Sequence, residues 1–335
     1  MGRMIDAERA WAEERVPELV GRLLRDESVL EIASRRGPDG ALVVDCGVVA
    51  RGSWEAGRRL AMISHAGMMR ATLGICELAG AAVPELVCDS WRPALSTYGL
   101  QVSFALSEVD PGIRVSGPVR AAIDGWEGSG TSRGPRDGET FPWGVAVVEA
   151  ERLPDRDVAS AIAQRARLRT RDLTLLVVPG NSLAGVAQIA GRLNECVLFT
   201  LAQSLGLDPE CVVGMLGAVP LAPCGADVHV MQDDMIHYAG RVAMTVDAPP
   251  SWNLQAVADA LVFASSPAHG RLFAELLAEA GGVFEAIPGL TDLNKVAQLT
   301  VTDRRSGRTA SAGTLDAAIL ARAAARAKGS RDGSC

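Results

Sequence analysis

Aromatic side chains are scarce in this 335-residue chain, at 4% of the total, so the core has to be built from Ala, Val, Leu and Ile. Excess positive charge is absent too. The net charge is −7, which argues against nucleic acid as the main partner, because phosphate binding needs a basic face. The seven cysteines contain no CxxC and follow no regular spacing. They read as reduced, mostly buried thiols, and a cytoplasmic location is expected. No stretch approaches ~18 uninterrupted apolar residues, so no transmembrane helix and no membrane partner are expected. Missing as well are a GxGxxG after a strand, a Walker A lysine and a GxSxG elbow. A dinucleotide enzyme, an NTPase and a serine hydrolase are each disfavoured by these absences.

What is present fits one large or two medium domains, 48% hydrophobic and 22% charged. Residues 1–25 form a charged amphipathic helical pattern without the apolar region of a signal peptide. A hairpin follows, with Gly37-Pro38-Asp39-Gly40 as its turn, then a helix from about Ser53 to Met69 with Ser53 as N-cap. Strand-like runs are expected at Ala71–Ile75, Val83–Asp89 and Val102–Leu106, and a mobile loop over Gly125–Gly138. Trp143–Ala150, Pro154–Arg167 and Leu173–Val178 read as a βαβ unit with parallel strands and a right-handed crossover. Further strands are expected at Val212–Leu216, Val242–Val246 and Val296–Asp303. Helices are expected at Leu254–Phe263, Gly270–Ala280 and from Leu315. Residues 326–335 read as a disordered tail. The fold class is α/β (mixed α+β).

The most informative stretch is Leu173–Pro209. A strand breaks at Pro179-Gly180 and leads, through Asn181 and Ser182, into what reads as a single long helix. That helix is mostly apolar, yet carries Gln188, Arg192 and Glu195 at i, i+4 and i+7 on one stripe. The ordinary reading is an i, i+3 ion pair; the alternative is a pair that faces a ligand. The helix start would offer free N–H groups at the ligand-side end of an α/β layer. The turn Ser116-Gly117-Pro118 before Arg120 could likewise aim N–H groups at an anion, or be a plain helix start. Asp233 and His237 fall at i, i+4 if their segment is helical, a spacing that could hold a metal; the alternative is a polar loop with local hydrogen bonds.

In order along the chain, the blocks DCGVVARGSWEAGRRLA (45–61), VSGPVRA (115–121), VAVVEAERLPDRDV (145–158) and VVPGNSLAGVAQIAGRLNE (177–195) resemble the methenyltetrahydromethanopterin cyclohydrolase family. LGLDPECVVGMLGAVPLAP (205–223), SSPAHGRLF (265–273) and SGRTASAG (306–313) continue the resemblance. It implies two α/β domains with a pocket between them, here two intertwined subdomains over 26–320. It also implies a homotrimer, a small-molecule substrate and no metal or redox cofactor, a pterin one-carbon carrier being the substrate. The family's R-x-x-E falls on Arg192 and Glu195 as the catalytic pair for reversible hydrolysis of a cyclic amidine. Gln188, Asn181, Ser182, Ser116, Gly117, Arg120, Asp234 and His237 are then candidates for substrate binding. Several pocket-shaping segments depart from the family pattern, STYGLQVSF (96–104) and HVMQDDMIHYAG (229–240) among them. Two alternatives follow: a relative that opens or closes a C–N ring on another small molecule, and a non-catalytic ligand-binding protein.

Overall fold

The computed structural model describes residues 2–124, 144–223 and 228–329. In chain order its first half contains α1 (Gly2–Arg25), α2 (Glu27–Leu30), β1 (Ala33–Arg36), β2 (Leu42–Asp45), α3 (Trp54–Ser64), β3 (Met69–Leu78) and β4 (Ala81–Trp91). A π-helix (Ala94–Gln101) follows, then β5 (Phe104–Leu106), β6 (Asp110–Ser116), α4 (Val119–Asp124), β7 (Gly144–Glu149), α5 (Arg156–Ala166) and β8 (Leu173–Val178). The remainder is α6 (Leu183–Ala190), α7 (Leu193–Gln203), β9 (Val212–Pro220), α8 (Val228–Ala239), β10 (Arg241–Val246), α9 (Leu254–Leu261), α10 (Phe273–Glu279), β11 (Gln298–Asp303), β12 (Thr309–Gly313) and α11 (Ala317–Gly329), with short 3₁₀ turns between. Contacts divide the chain into two interleaved units, one from residues 1–70 and 94–188 and the other from 71–93 and 189–335. The expected mobile loop and residues 330–335 of the expected tail lie outside the described residues, while 326–329, expected to be disordered, form the last turn of α11.

In the first unit, six strands run in the order β1-β2-β8-β7-β6-β5, with β2, β8 and β7 parallel. The sequence LTLLVV of β8 has no polar alternation because both faces of this sheet are covered. Leu176 and Val178 join a core with Val16, Val20 and Leu23 of α1 and Leu60 and Ile63 of α3. Leu173, Leu175 and Val177 point the other way, onto Val158, Ile162 and Ala163 of α5. Polar ends set the helix boundaries: Ser53 Oγ accepts from Ala56 N–H, and Asp155 accepts from Asp157 and Val158. α3 stops at Ser64, short of the expected Met69, and Ala66 and Gly67 follow in left-handed conformations.

The second unit holds six strands in the order β12-β11-β10-β9-β4-β3, with β10 and β11 parallel and β9 antiparallel to both β10 and β4. Here alternation is kept. Val242, Met244 and Val246 are buried while Ala243 is exposed, and Leu299 and Val301 are buried between half-exposed threonines. α7, α8 and α9 pack on this sheet. Among the described residues no helix is long and apolar enough to cross a membrane.

One expectation is corrected by the fold. The single long helix after Pro179 is two helices, α6 and α7, separated at Gly191-Arg192. Arg192 sits at φ −86° and ψ −1°, its N–H bonded to Ile189 O in a tight turn. Glycine weakens a helix interior by about 1 kcal/mol relative to alanine, so Gly191 is where the helix gives way. Gln188 therefore does not share a helical stripe with Arg192 and Glu195.

Candidate active site

Arg192 occupies the N-cap position of α7 and Glu195 its first turn, where a carboxylate suits the positive end of the helix dipole. Arg192 Nη2 donates to Glu195 Oε1 at 2.8 Å. The two side chains keep only 17% and 9% of their exposure, so this is not a solvated surface pair. A buried pair pays desolvation and is weak evidence for stability, which shifts the weight toward function.

The second unit fixes this turn from below. Asn194, fully buried, donates through Nδ2 to Ser90 Oγ at 3.0 Å and toward Cys88 O at 3.4 Å, both on β4. The helix comes close to the sheet because two glycines let it. A Cβ on Gly217 would lie 2.5 Å from Asn194 Oδ1, and one on Gly240 would lie 2.7 Å from Leu193 Cδ1. At the other end, Thr200 Oγ1 donates to the carbonyl of Asn294. Burial, then the neighbouring Glu195 carboxylate, push the Cys196 thiol far above the ordinary range, which disfavours the thiolate.

α8 shows how the segment around Asp234 and His237 is used. Asp234 accepts from Phe273 N–H at 2.8 Å. Burial pushes its carboxyl up to about 7, against the lowering effect of that N–H bond; Glu275 raises it further, and Arg322 and Arg326 lower it. The ring of His237 stacks on Phe263, with centroids 4.3 Å apart and planes at 6°. Burial pushes its pKa down to about 3, despite a hydrogen bond with the Leu293 backbone. Tyr238 donates to Arg271 O at 2.6 Å and accepts from Gly270 N–H. These three side chains fasten residues 263–273 to α8. Among the described residues no group of three or more His, Cys, Asp or Glu side chains is placed to hold a metal ion.

The first unit carries the other candidates. Ser182 Oγ accepts from Gly185 N–H and donates to Pro179 O, so its hydroxyl builds the turn into α6, while Asn181 is exposed. Gly117 N–H is spent on Leu100 O at 2.8 Å. The Arg120 guanidinium holds Asp124 and the carbonyl of Val102. Ser116 is buried. Gln188 differs from these: it is 1% exposed, and neither end of its carboxamide has a partner among the described residues. Sequence reasoning assigned no role to Asp45, whose carboxylate collects the N–H groups of Gly47, Val48, Val49 and Ala50. Burial would raise its pKa, but those four bonds hold it below the usual carboxylate range. The signal for it was the D-C-G turn after a strand.

A sequence profile described as Cyclohydrolase (MCH) matches residues 12–323. The chain belongs to the MCH cyclohydrolase family. Among its relatives, the methenyltetrahydromethanopterin cyclohydrolase of Methylobacterium organophilum is 34% identical over 310 residues, covering 90% of this chain and 94% of that protein. That of Xanthobacter autotrophicus is 32% identical over 323 residues, covering 92% and 90%. The archaeal protein of Methanocaldococcus jannaschii is 27% identical over 309 residues, covering 90% and 94%. The match to this cyclohydrolase family runs across both units, and the Arg192–Glu195 turn lies well inside it.

Proposed function

We propose that this chain is a cyclohydrolase that opens, reversibly, the cyclic amidinium of a methenyl one-carbon pterin to the formyl compound. The observation that carries the reading is the buried Arg192–Glu195 pair at 2.8 Å, in a chain that shares a family with methenyltetrahydromethanopterin cyclohydrolases. The amidinium carbon is already electrophilic, so the water needs a positioned base more than a Lewis acid, and no cofactor is required. Glu195 takes a proton from the attacking water as its oxygen bonds to that carbon. It then returns a proton to the leaving nitrogen as the C–N bond breaks; one water is consumed and one proton released overall. Arg192 orients Glu195 and stabilises charge that develops on oxygen. Gln188, with its unpartnered amide, is the substrate-binding candidate that the geometry favours most. Gly117, Arg120, Ser182, Asp234 and His237 act mainly by shaping the surrounding backbone, while Ser116 and Asn181 remain candidates for substrate binding.

An ultraviolet assay with the methenyl pterin tests this, since the conjugated amidinium loses its absorbance on hydrolysis. Turnover by wild type and none by Glu195→Gln is the expected result. A folded wild type that leaves the absorbance unchanged overturns the substrate and favours a relative acting on another cyclic amidine. A homotrimer in the cytoplasm is part of the same reading, and light scattering on the purified protein tests the trimer.

A further inference from the structure

Gln101 closes the π-helix and is completely buried, yet neither its Nε2 nor its Oε1 has a hydrogen-bond partner among the described residues. A carboxamide brings two donors and an acceptor with two lone pairs, and burying them unpaired is unfavourable. Loose backbone does not account for it. The carbonyl of Leu100, just before, accepts from Gly117 N–H at 2.8 Å, and the carbonyl of Val102, just after, accepts from the Arg120 guanidinium. Asp124 in turn holds that guanidinium. The residue is thus clamped on both sides by the Ser116-Gly117 turn and α4, with its own head group left over.

The local backbone is a second, independent observation. π-helical turns are rare and concentrate at functional sites, because the wider coil redirects side chains. Here all eight residues from Ala94 to Gln101 are buried. A leucine or methionine would fill the same volume without an unpaired amide, so packing alone gives no reason for glutamine.

We propose that Gln101 is a specificity-determining residue whose carboxamide reads a ligand edge with a donor beside an acceptor, such as the N–H/C=O edge of a cyclic amide in a heterocycle. This rests on the reading that the chain acts on a heterocyclic cyclohydrolase substrate, and it adds the group that selects it. Such a bond forms in the ground state and the transition state alike, so its loss raises KM and spares kcat.

The test compares full-length wild type with Gln101→Leu and Gln101→Met, using the methenyl pterin as probe and recording kcat, KM and Tm. Expected is a rise in KM of about 10- to 100-fold, kcat within a few-fold of wild type, and Tm unchanged or higher because an unpaired buried amide is gone. Wild-type KM in either folded variant overturns the assignment and leaves the proposed activity standing. A lower Tm in both variants also overturns it, since the amide would then belong to the fold. An inactive wild type overturns the substrate reading and this assignment together.

Discussion

Asn194 Nδ2 donates to Ser90 Oγ at 3.0 Å, which fastens the first turn of α7 to strand β4 one residue before Glu195. The proposed base is therefore placed by a neighbour that has no direct part in the proposed chemistry. Asn194→Ala should lower kcat about tenfold or more, since small displacements of a catalytic group are costly. It should also lose about 1–3 kcal/mol of stability by leaving buried groups on β4 unpaired. Steady-state kinetics together with denaturant unfolding check both effects; unchanged kcat would remove Asn194 from the positioning role.

The clearance under α7 gives a second prediction. Gly217→Ala brings a Cβ to 2.5 Å from Asn194 Oδ1 and 2.7 Å from Leu193 Cδ2. Overpacking of this kind costs about 1–3 kcal/mol. Gly240→Ala should cost more, because its Cβ would meet the backbone carbonyl of Ile236 at 2.5 Å rather than a side chain that can turn. Thermal melts that rank the two the other way would contradict the packing described for this turn.

The two members of the ion pair should separate stability from turnover. Glu195→Gln keeps an acceptor for Arg192 and should cut kcat by a factor on the order of 10²–10⁴ with little change in Tm. Arg192→Ala leaves a carboxylate buried without its cation and should be the less stable of the two. Equal activity of Glu195→Gln and wild type would end the proposed mechanism.

Opposed pH effects are expected one turn apart on α8. Asp234, raised to about 7 in the fold from an ordinary value near 3.8, is protonated in the folded chain while the unfolded chain has already lost its proton. Its contribution to stability is present below about pH 4 and disappears as pH rises toward 7. His237, lowered to about 3 from 6.5, contributes stability above 6.5 that fades as pH falls toward 3. Between about 4 and 6.5 the two slopes oppose each other. Asp234→Asn, which still accepts from Phe273 N–H, should leave stability rising with pH across that window, by at most roughly 1.4 kcal/mol per pH unit. Urea midpoints at pH 4.5, 5.5 and 6.5 read this directly, and a flat series would refute it.

Much of this was legible in the sequence, and the exceptions have identifiable causes. The run LTLLVV was legible as a strand of a βαβ unit and Ser53 as a helix N-cap; the covering of that sheet on both faces is the physical reason its strand lacks alternation. β6 was missed because Asp110-Pro111-Gly112 reads as a turn, whereas Asp110 pairs with Leu106 at an irregularity in the ladder. The break at Gly191 was hidden by apolar periodicity that continues on both sides of it. Arg192 and Glu195 stood out as charges on an apolar helix. Asn194 and Gln101 did not, because what sets them apart is the presence or absence of a partner far along the chain, which no local pattern records.

The excursion of residues 71–93 into the second unit has a consequence for biosynthesis. β4 pairs with β9 from Trp91↔Gly214 to Glu85↔Pro220, so its partner leaves the ribosome roughly 120 residues later. At the usual pace of translation that is a wait of about 6–24 s. Throughout it, the edge that will meet β9 stays open while the first unit's own strands are still being delivered. The nascent chain must therefore carry an unmated β-edge across roughly a third of its synthesis. That interval, rather than the finished protein, is where aggregation and chaperone dependence should concentrate.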